Sequence, residues 1–145
     1  METNWTRKQI YDLALKISKI SNYFPECDIV SRFYNLGGRF HRSDTDYFTF
    51  SEDGWFGLNE QWRHDRFQIA KAIGHYILHT TVGTPMSIRN GVVDRMEVEG
   101  NWFAARFLLP EPEFSGRLKE WKSIARLSVH FDVPECAIER VINTN

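Results

Sequence analysis

The sequence has few cysteines and almost no net charge. Cys27 and Cys136 are far apart and form no C-x-x-C pair, so their spacing does not indicate a zinc or redox site. We expect both to be buried thiols, and the reducing compartment inferred below argues against a disulfide. The formal net charge of -1 does not indicate a large binding surface for nucleic acid or anionic lipid.

The sequence also lacks a long apolar run. In the opening stretch METNWTRKQIYDLALK, charged residues are scattered among the apolar positions, which excludes a signal peptide or a membrane span there. We therefore expect a cytoplasmic protein. Its 145 residues are close to the usual size of one domain, and the 42% of hydrophobic residues can bury a core. A single domain over residues 1–145 is expected.

Hydrophobic spacing predicts helices on both sides of a short β region. Trp5–Tyr23 has the spacing of an amphipathic helix, and PECDIVSRFYNLGG predicts a second short helix that ends at its glycines. The segments GRFHR, DYFTFS and WFGLN predict strands of a small antiparallel sheet. Thr80 to Asn90 contains Gly83 and Pro85, which predict a loop. The predicted class is α+β, a short antiparallel sheet packed on several helices.

The C-terminal segment EWKSIARLSVHFDVPECAIERVIN predicts a helix, a tight turn and a second helix. Such a helix-turn-helix-like pair can place its second helix in a DNA major groove. Here that helix carries Glu135, Glu139 and only Arg140, so it lacks the basic surface that phosphate contacts require. Nucleic-acid binding is therefore not expected, and packing on the helical layer is.

The segment RFQIAKAIGHYILH, Arg66–His79, predicts a buried helix with a narrow polar stripe. His75 and His79 lie one turn apart on one face, a spacing that presents two ligands to one metal ion. The H-E-x-x-H form of this motif adds a glutamate that serves as general base. With His75 taken as the second histidine, Lys71 stands at the first ligand position and Ala72 at the base position.

Two blocks resemble the ImmA/IrrE family of small metallopeptidases. AKAIGHYILH is similar to the family signature AHELGHLLLH, and EVEGNWFAARFLLP, Glu97 to Pro110, is similar to E-x-E-A-N-x-F-A-A-x-L-L-M-P. The second block lies in a helix predicted over Asp94 to Leu109. The resemblance implies a small zincin-like domain and cleavage of repressor-type transcription factors, often in prophages and mobile elements. It also implies that Glu97 is the third zinc ligand, with Glu99 as the second candidate.

The substituted motif makes ordinary zincin catalysis unexpected, so no catalytic residue is assigned. Ala72 offers no proton acceptor, and the ammonium of Lys71 would repel a zinc ion. We expect Lys71 to pair with Glu97 or Glu99 near the position that the metal takes in active relatives.

No cofactor is expected, but a residual zinc site stays open. His75, His79 and Glu97 form a set of two histidines and one carboxylate. A structural role is favoured for His79 over a ligand role, and neither role is favoured for His75. Tyr47, Trp55 and Asn59, in or next to the predicted strands, are candidate binding residues, because zincins commonly hold substrate along an edge strand.

The first functional hypothesis is a catalytically inactive ImmA/IrrE-like pseudopeptidase that binds a protein partner. By the resemblance, that partner is a repressor or helix-turn-helix regulator of a phage or mobile element. The alternative is an active zinc-dependent endopeptidase that cleaves such a regulator with rearranged ligands. A third hypothesis is a toxin, antitoxin or phage regulator that uses the fold as a scaffold. The hypotheses differ in whether activity needs a bound metal.

Overall fold

The computed structural model describes residues 5–20, 29–80, 84–91 and 94–143. Within these ranges the elements in chain order are α1 Arg7–Ile20, α2 Ile29–Asn35, β1 Gly38–His41, β2 Asp46–Phe50, β3 Phe56–Asn59, a 3-10 turn Glu60–Trp62, α3 Arg66–His79, β4 Met86–Arg89, α4 Arg95–Phe107, α5 Glu113–Trp121, α6 Ile124–Phe131 and α7 Glu135–Ile142. No helix in these ranges is long and apolar enough to cross a membrane. Cys27 and the predicted end of the first helix at Tyr23 lie outside them.

The four strands form one sheet in the order β1-β3-β2-β4, which confirms the α+β class. β2 is antiparallel to both β3 and β4, as expected for a small antiparallel sheet. β1 instead pairs parallel to β3. The sheet is mixed because β3 reverses direction after β2 and then inserts between β1 and β2.

β4, Met86–Arg89, corrects the prediction of a loop from Thr80 to Asn90. This four-residue strand has one buried side chain, Ile88, which lies opposite Phe48 of β2. Its local sequence carries little strand signal, since Pro85 precedes it. The pairing with β2 makes it a strand, a case in which tertiary context outweighs local propensity.

Two aspartates start the helices that carry the candidate site. Asp65 is the N-cap of α3 and accepts a hydrogen bond from the Gln68 backbone N–H at 3.1 Å. Asp94 does the same for α4, accepting from the Glu97 N–H at 3.0 Å. Each carboxylate satisfies a free N–H and lies at the positive end of the helix dipole.

α4 is the central helix of the helical layer and contacts α1, α3 and α7. The apolar side chains of Met96, Phe103 and Phe107 in α4 are buried. α3 also contacts β3. The core therefore lies between the sheet and α3 and extends around α4. The largest fully buried side chains are Phe33, Phe48, Phe56, Phe103, Phe107, Phe131, Ile10, Leu58, Ile69, Ile73, Leu108 and Leu109.

The C-terminal part contains a break that the sequence analysis missed. The predicted helix starting at EWKSIARL is divided, because Lys122 adopts a left-handed conformation with φ 51° and Ser123 caps α6. α6 and α7 then form the predicted helix-turn-helix-like pair, and α7 packs on α4 through its apolar face. Cys136 is exposed, so its prediction as a buried thiol was wrong. It faces away from the side of α7 that buries Ala137.

Candidate functional site

The candidate site lies where α3 and α4 pack together. α3 contributes Lys71, His75 and His79, and α4 contributes Glu97 and Glu99. Four of these side chains are buried, and Glu97 is 18% exposed. The structure thus brings together all of the residues that the motif comparison singled out.

Lys71 and Glu97 form an ion pair through Nζ and Oε1. This confirms the predicted pairing of Lys71 with one of the two glutamates. The ammonium also lies 4.7 Å from the centroid of the Tyr47 ring, close enough for a cation–π interaction. The Lys71 side chain is only 7% exposed, and the carboxylate and the aromatic face offset the free-energy cost of burying its charge.

His79 connects His75 to Glu99 inside the protein. His79 Nε2 lies 2.8 Å from Glu99 Oε1, and the Nδ1 atoms of His75 and His79 are 3.0 Å apart. Glu99 also accepts a hydrogen bond from Arg95 Nε at 2.9 Å. Both ring nitrogens of His79 therefore have partners within the protein. The structural role favoured for His79 from the sequence stays a prediction.

This network assigns the tautomers of the two histidines. Burial lowers the pKa of His79, only partly offset by Glu99, so the ring is neutral at pH 7. Its single proton belongs on Nε2, which faces the Glu99 carboxylate, and its Nδ1 must then accept from His75 Nδ1–H. His75 Nε2 is left as a bare lone pair 3.6 Å from Glu97 Oε2.

Burial also determines the charge state of His75, whose side chain is 0% exposed. Burial lowers the pKa of His75 to about 4, and the nearby Glu97 carboxylate offsets this only in part. His75 Nε2 is buried and has no hydrogen-bond partner among the residues the structure describes. His75 is therefore a neutral imidazole at pH 7.

The two other titratable groups beside Lys71 keep their ordinary charge states. Burial raises the pKa of Glu97, but the hydrogen bond and the charge of the Lys71 ammonium outweigh it, so the pKa lies below its usual value. Burial, together with the carboxylates of Glu97 and Asp65, holds the pKa of Tyr47 well above its usual value. The neutral Tyr47 hydroxyl donates to the Gln68 carbonyl oxygen at 2.9 Å.

A register shift in β2 explains why two adjacent aromatic residues reach this site. Pairing between β2 and β4 is irregular between Asp46 and Phe48. Bulges of this kind redirect side chains. The rings of both Tyr47 and Phe48 contact His75, with centroids 5.9 Å and 5.4 Å from the imidazole.

Two glycines set the close approach of α3 and α4, and the sequence analysis did not single them out. A Cβ atom at Gly100 would lie 2.5 Å from His75 Cε1 and 3.0 Å from Lys71 Cγ. A Cβ atom at Gly74 would lie 2.7 Å from Phe103 Cδ1. The sequence did offer a signal for this contact. A glycine inside a helix lowers the stability of that helix, so a glycine in each of two neighbouring site helices indicates that close packing requires it.

A cleft of about 160 Å³ opens beside the ion pair. Its lining includes Tyr47, Trp62, Gln68, Lys71, Arg89 and Glu97. Of the three candidate binding residues, Tyr47 lines this cleft and Trp55 lies under the Arg39 guanidinium, 5.4 Å from it. Asn59 is buried, and its amide donates to the carbonyl oxygens of Ser43 and Asp46 at 2.6 Å and 2.8 Å. Asn59 thus fastens the loop before β2.

The geometry of a helix pair and a short sheet around this polar cluster agrees with the comparison to known families. A family model described as peptidase M78, IrrE N-terminal-like domain, matches residues 39–143. The chain belongs to this peptidase M78 family. The matched range contains the sheet, α3 and α4, so the resemblance to ImmA/IrrE proteins is confirmed. No curated protein matches the chain.

Peptidase M78 domains normally depend on zinc, but the side chains of this member do not fit a zinc ion as they are arranged. Lys71 places a cation on the carboxylate of Glu97, the expected third ligand. Both nitrogens of His79 are used within the protein, and Glu99 is paired with His79 and Arg95. In the described parts of the chain, no group of three or more His, Cys, Asp or Glu residues could hold a metal.

Proposed function

We propose that this chain is a peptidase M78 domain without hydrolytic activity that acts by binding a protein partner. The observation that carries the proposal is the ion pair between Lys71 and Glu97, which lies beside the neutral imidazole of His75. This pair puts an ammonium group at the third-ligand carboxylate. A dication and a paired ammonium compete for the same oxygen atoms, so the ion pair disfavours metal binding.

The lack of a general base supports the same proposal. Zinc-dependent peptide hydrolysis requires a group that removes a proton from the metal-bound water. Position 72 holds a fully buried alanine on the turn of α3 that also carries Lys71. The methyl group of Ala72 accepts no proton, so the site lacks both a metal-binding first position and a base.

Binding, by contrast, uses features that the domain retains. β4 is at the edge of the sheet and pairs with β2, so a segment of another protein can add to it as a further strand. We propose a repressor or helix-turn-helix regulator of a phage or mobile element as the partner, because proteins of that kind are the targets in the family that the chain resembles. The domain would then act by sequestering the regulator or by blocking its function.

The test is to mix the purified chain with purified candidate regulators from the genome that encodes it. Binding is measured by calorimetry in zinc buffer and again with a chelator, and the regulator is then examined by intact-mass spectrometry. The proposal predicts equal affinity in both buffers and an intact regulator. Chelator-sensitive cleavage would overturn it and would favour an active endopeptidase with rearranged ligands.

A further inference from the structure

The cleft beside the Lys71 and Glu97 ion pair has an excess of positive charge. Among its described lining residues, Lys71 and Arg89 are cations and Glu97 is the one anion, which gives a net charge of +1. Arg89 is exposed at the end of β4, whereas the Lys71 side chain is 7% exposed. An anionic group that enters the cleft therefore meets one buried and one solvent-facing cation.

Several polar groups of the cleft have unused hydrogen-bonding capacity. The ammonium of Lys71 has three N–H bonds, and its one hydrogen bond within the described ranges goes to Glu97. Trp62 Nε1 and Gln68 Oε1 are buried and have no partner in the part of the chain that the structure describes. The Gln68 amide can turn to present its NH₂ group instead of its oxygen. Buried polar groups in proteins are rarely left unpaired, so these groups indicate a polar ligand.

The size of the cleft limits the ligand to a small group. Its volume of about 160 Å³ lies below the range of small-molecule sites, which starts at about 300 Å³. A cofactor or a nucleotide would not fit, whereas the end of one side chain would. An ionised carboxylate is small and anionic and only accepts hydrogen bonds, which matches the donors of Lys71, Trp62 and Arg89.

We propose that this cleft binds a carboxylate of the protein partner, supplied by an acidic side chain or by a C-terminus. The inference rests on the proposed function, because it assigns chemistry to the partner of the same site. The ammonium of Lys71, which disfavours a metal ion, and the guanidinium of Arg89 recognise the anion. A carboxylate held there would belong to a segment that lies along β4, since Arg89 ends that strand.

The first experiment titrates small carboxylates into the ¹⁵N-labelled full chain and follows the indole N–H of Trp62 by NMR. That resonance is assigned by its loss in Trp62→Phe. The probes are the N-methylamide of N-acetylaspartate, which offers a side-chain carboxylate, and N-acetylglycine, which offers a terminal one. The N-methylamide of N-acetylasparagine is the neutral control of the same shape.

We expect a carboxylate probe to shift the Trp62 signal in a saturable way and the asparagine compound to leave it unchanged. Tighter binding of the aspartate compound would identify a side-chain source, and tighter binding of N-acetylglycine a chain terminus. An unchanged signal with both carboxylates, or an equal response to the neutral control, would overturn the inference.

Variants distinguish carboxylate binding in the cleft from binding elsewhere on the surface. Arg89→Ala should weaken carboxylate binding about threefold, as expected for loss of an exposed charge. Lys71→Met combined with Glu97→Gln, which leaves no unpaired buried charge, should weaken it about tenfold. Arg63→Ala removes an exposed arginine outside the cleft and should have no effect. Equal effects of Arg89→Ala and Arg63→Ala would contradict a localised site.

The experiments distinguish a failure of this inference from a failure of the proposed function. If a regulator binds without being cleaved while neither carboxylate binds, this inference alone is wrong. If the carboxylates bind at Trp62 but regulators are cleaved in a zinc-dependent way, the proposed function is wrong and the cleft is a subsite of an active enzyme.

Discussion

A Cβ atom added to Gly100 would lie 2.5 Å from Cε1 of His75, so α4 can approach the site helix only because position 100 is glycine. Since His75 is fully buried among aromatic rings, its imidazole has little room to move away. The glycine thus holds His75 in contact with α4 and keeps the cluster compact.

We therefore expect Gly100→Ala to lower the free energy of unfolding by about 1–3 kcal/mol, the usual cost of overpacking. Gly116 in α5 is the matched control, because nothing lies within 4 Å of a Cβ atom there. Gly116→Ala should raise the stability by up to about 1 kcal/mol through helix propensity. Urea denaturation measures both, and a stabilised Gly100→Ala protein would contradict the close contact.

The ion pair between Lys71 and Glu97 should be a strongly coupled element of the structure. Lys71→Met leaves Glu97 charged and 82% removed from solvent, and we expect a loss of about 2–3 kcal/mol in the free energy of unfolding. Lys71→Met combined with Glu97→Gln should recover more than half of that loss, because neither residue is then an unpaired charge.

The exposed pair of Lys8 and Asp12 in α1 provides the control for this prediction. Its side chains are 87% and 65% exposed, so Lys8→Met should change the stability by less than about 0.5 kcal/mol. If Lys8→Met and Lys71→Met lowered the free energy of unfolding equally, the buried pair would contribute no more to stability than the exposed pair.

The titration of His75 should lie far below that of an ordinary histidine. Burial lowers the pKa of His75 from 6.5 to about 4, so the unfolded chain takes up this proton at higher pH than the folded one. The contribution of His75 to the free energy of unfolding is therefore fully present above pH 6.5. It decreases as the pH falls towards 4, by up to about 3 kcal/mol. NMR of the imidazole Cε1–H should show no titration of His75 between pH 8 and about 5. A midpoint above pH 6 would contradict its desolvated state.

The sequence predicted the elements that local patterns encode. The bounds of α3 followed from its hydrophobic spacing, whereas the pairing of Lys71 with a glutamate on the next site helix followed from the resemblance, which implied a ligand role for Glu97 or Glu99. β4 was missed because its strand character depends on its pairing with β2. The break at Lys122 was missed because a lysine gives no signal for a left-handed conformation.

Within the site, the unpredicted features depend on the distance between helices. The link from His79 through Glu99 to Arg95 requires the rotation of α4 relative to α3, which no spacing within one helix gives. The position of Trp62 in the lining of the cleft also depends on tertiary structure, because this residue lies in the 3-10 turn before α3 and reaches the site only in the folded chain. Such contacts are tertiary, and a single sequence does not specify them.

Restoring the motif should restore metal chemistry. In Lys71→His combined with Ala72→Glu, the ion pair is gone and the chain regains a first ligand and a base next to His75 and Glu97. We expect this variant to bind zinc and to melt at a higher temperature when zinc is present. Ala72→Glu alone, which keeps the ammonium, should not respond to zinc. A folded double variant without zinc affinity would show that the rest of the site is not competent.

The most direct measurement is the zinc content of the wild-type chain, determined by mass spectrometry of the metals after incubation with excess zinc and exchange into metal-free buffer. With the Lys71 ammonium on Glu97, we expect far less than one zinc per chain, and no change in the amount when His75 is replaced by alanine. One zinc per chain that disappears with His75→Ala would contradict the account.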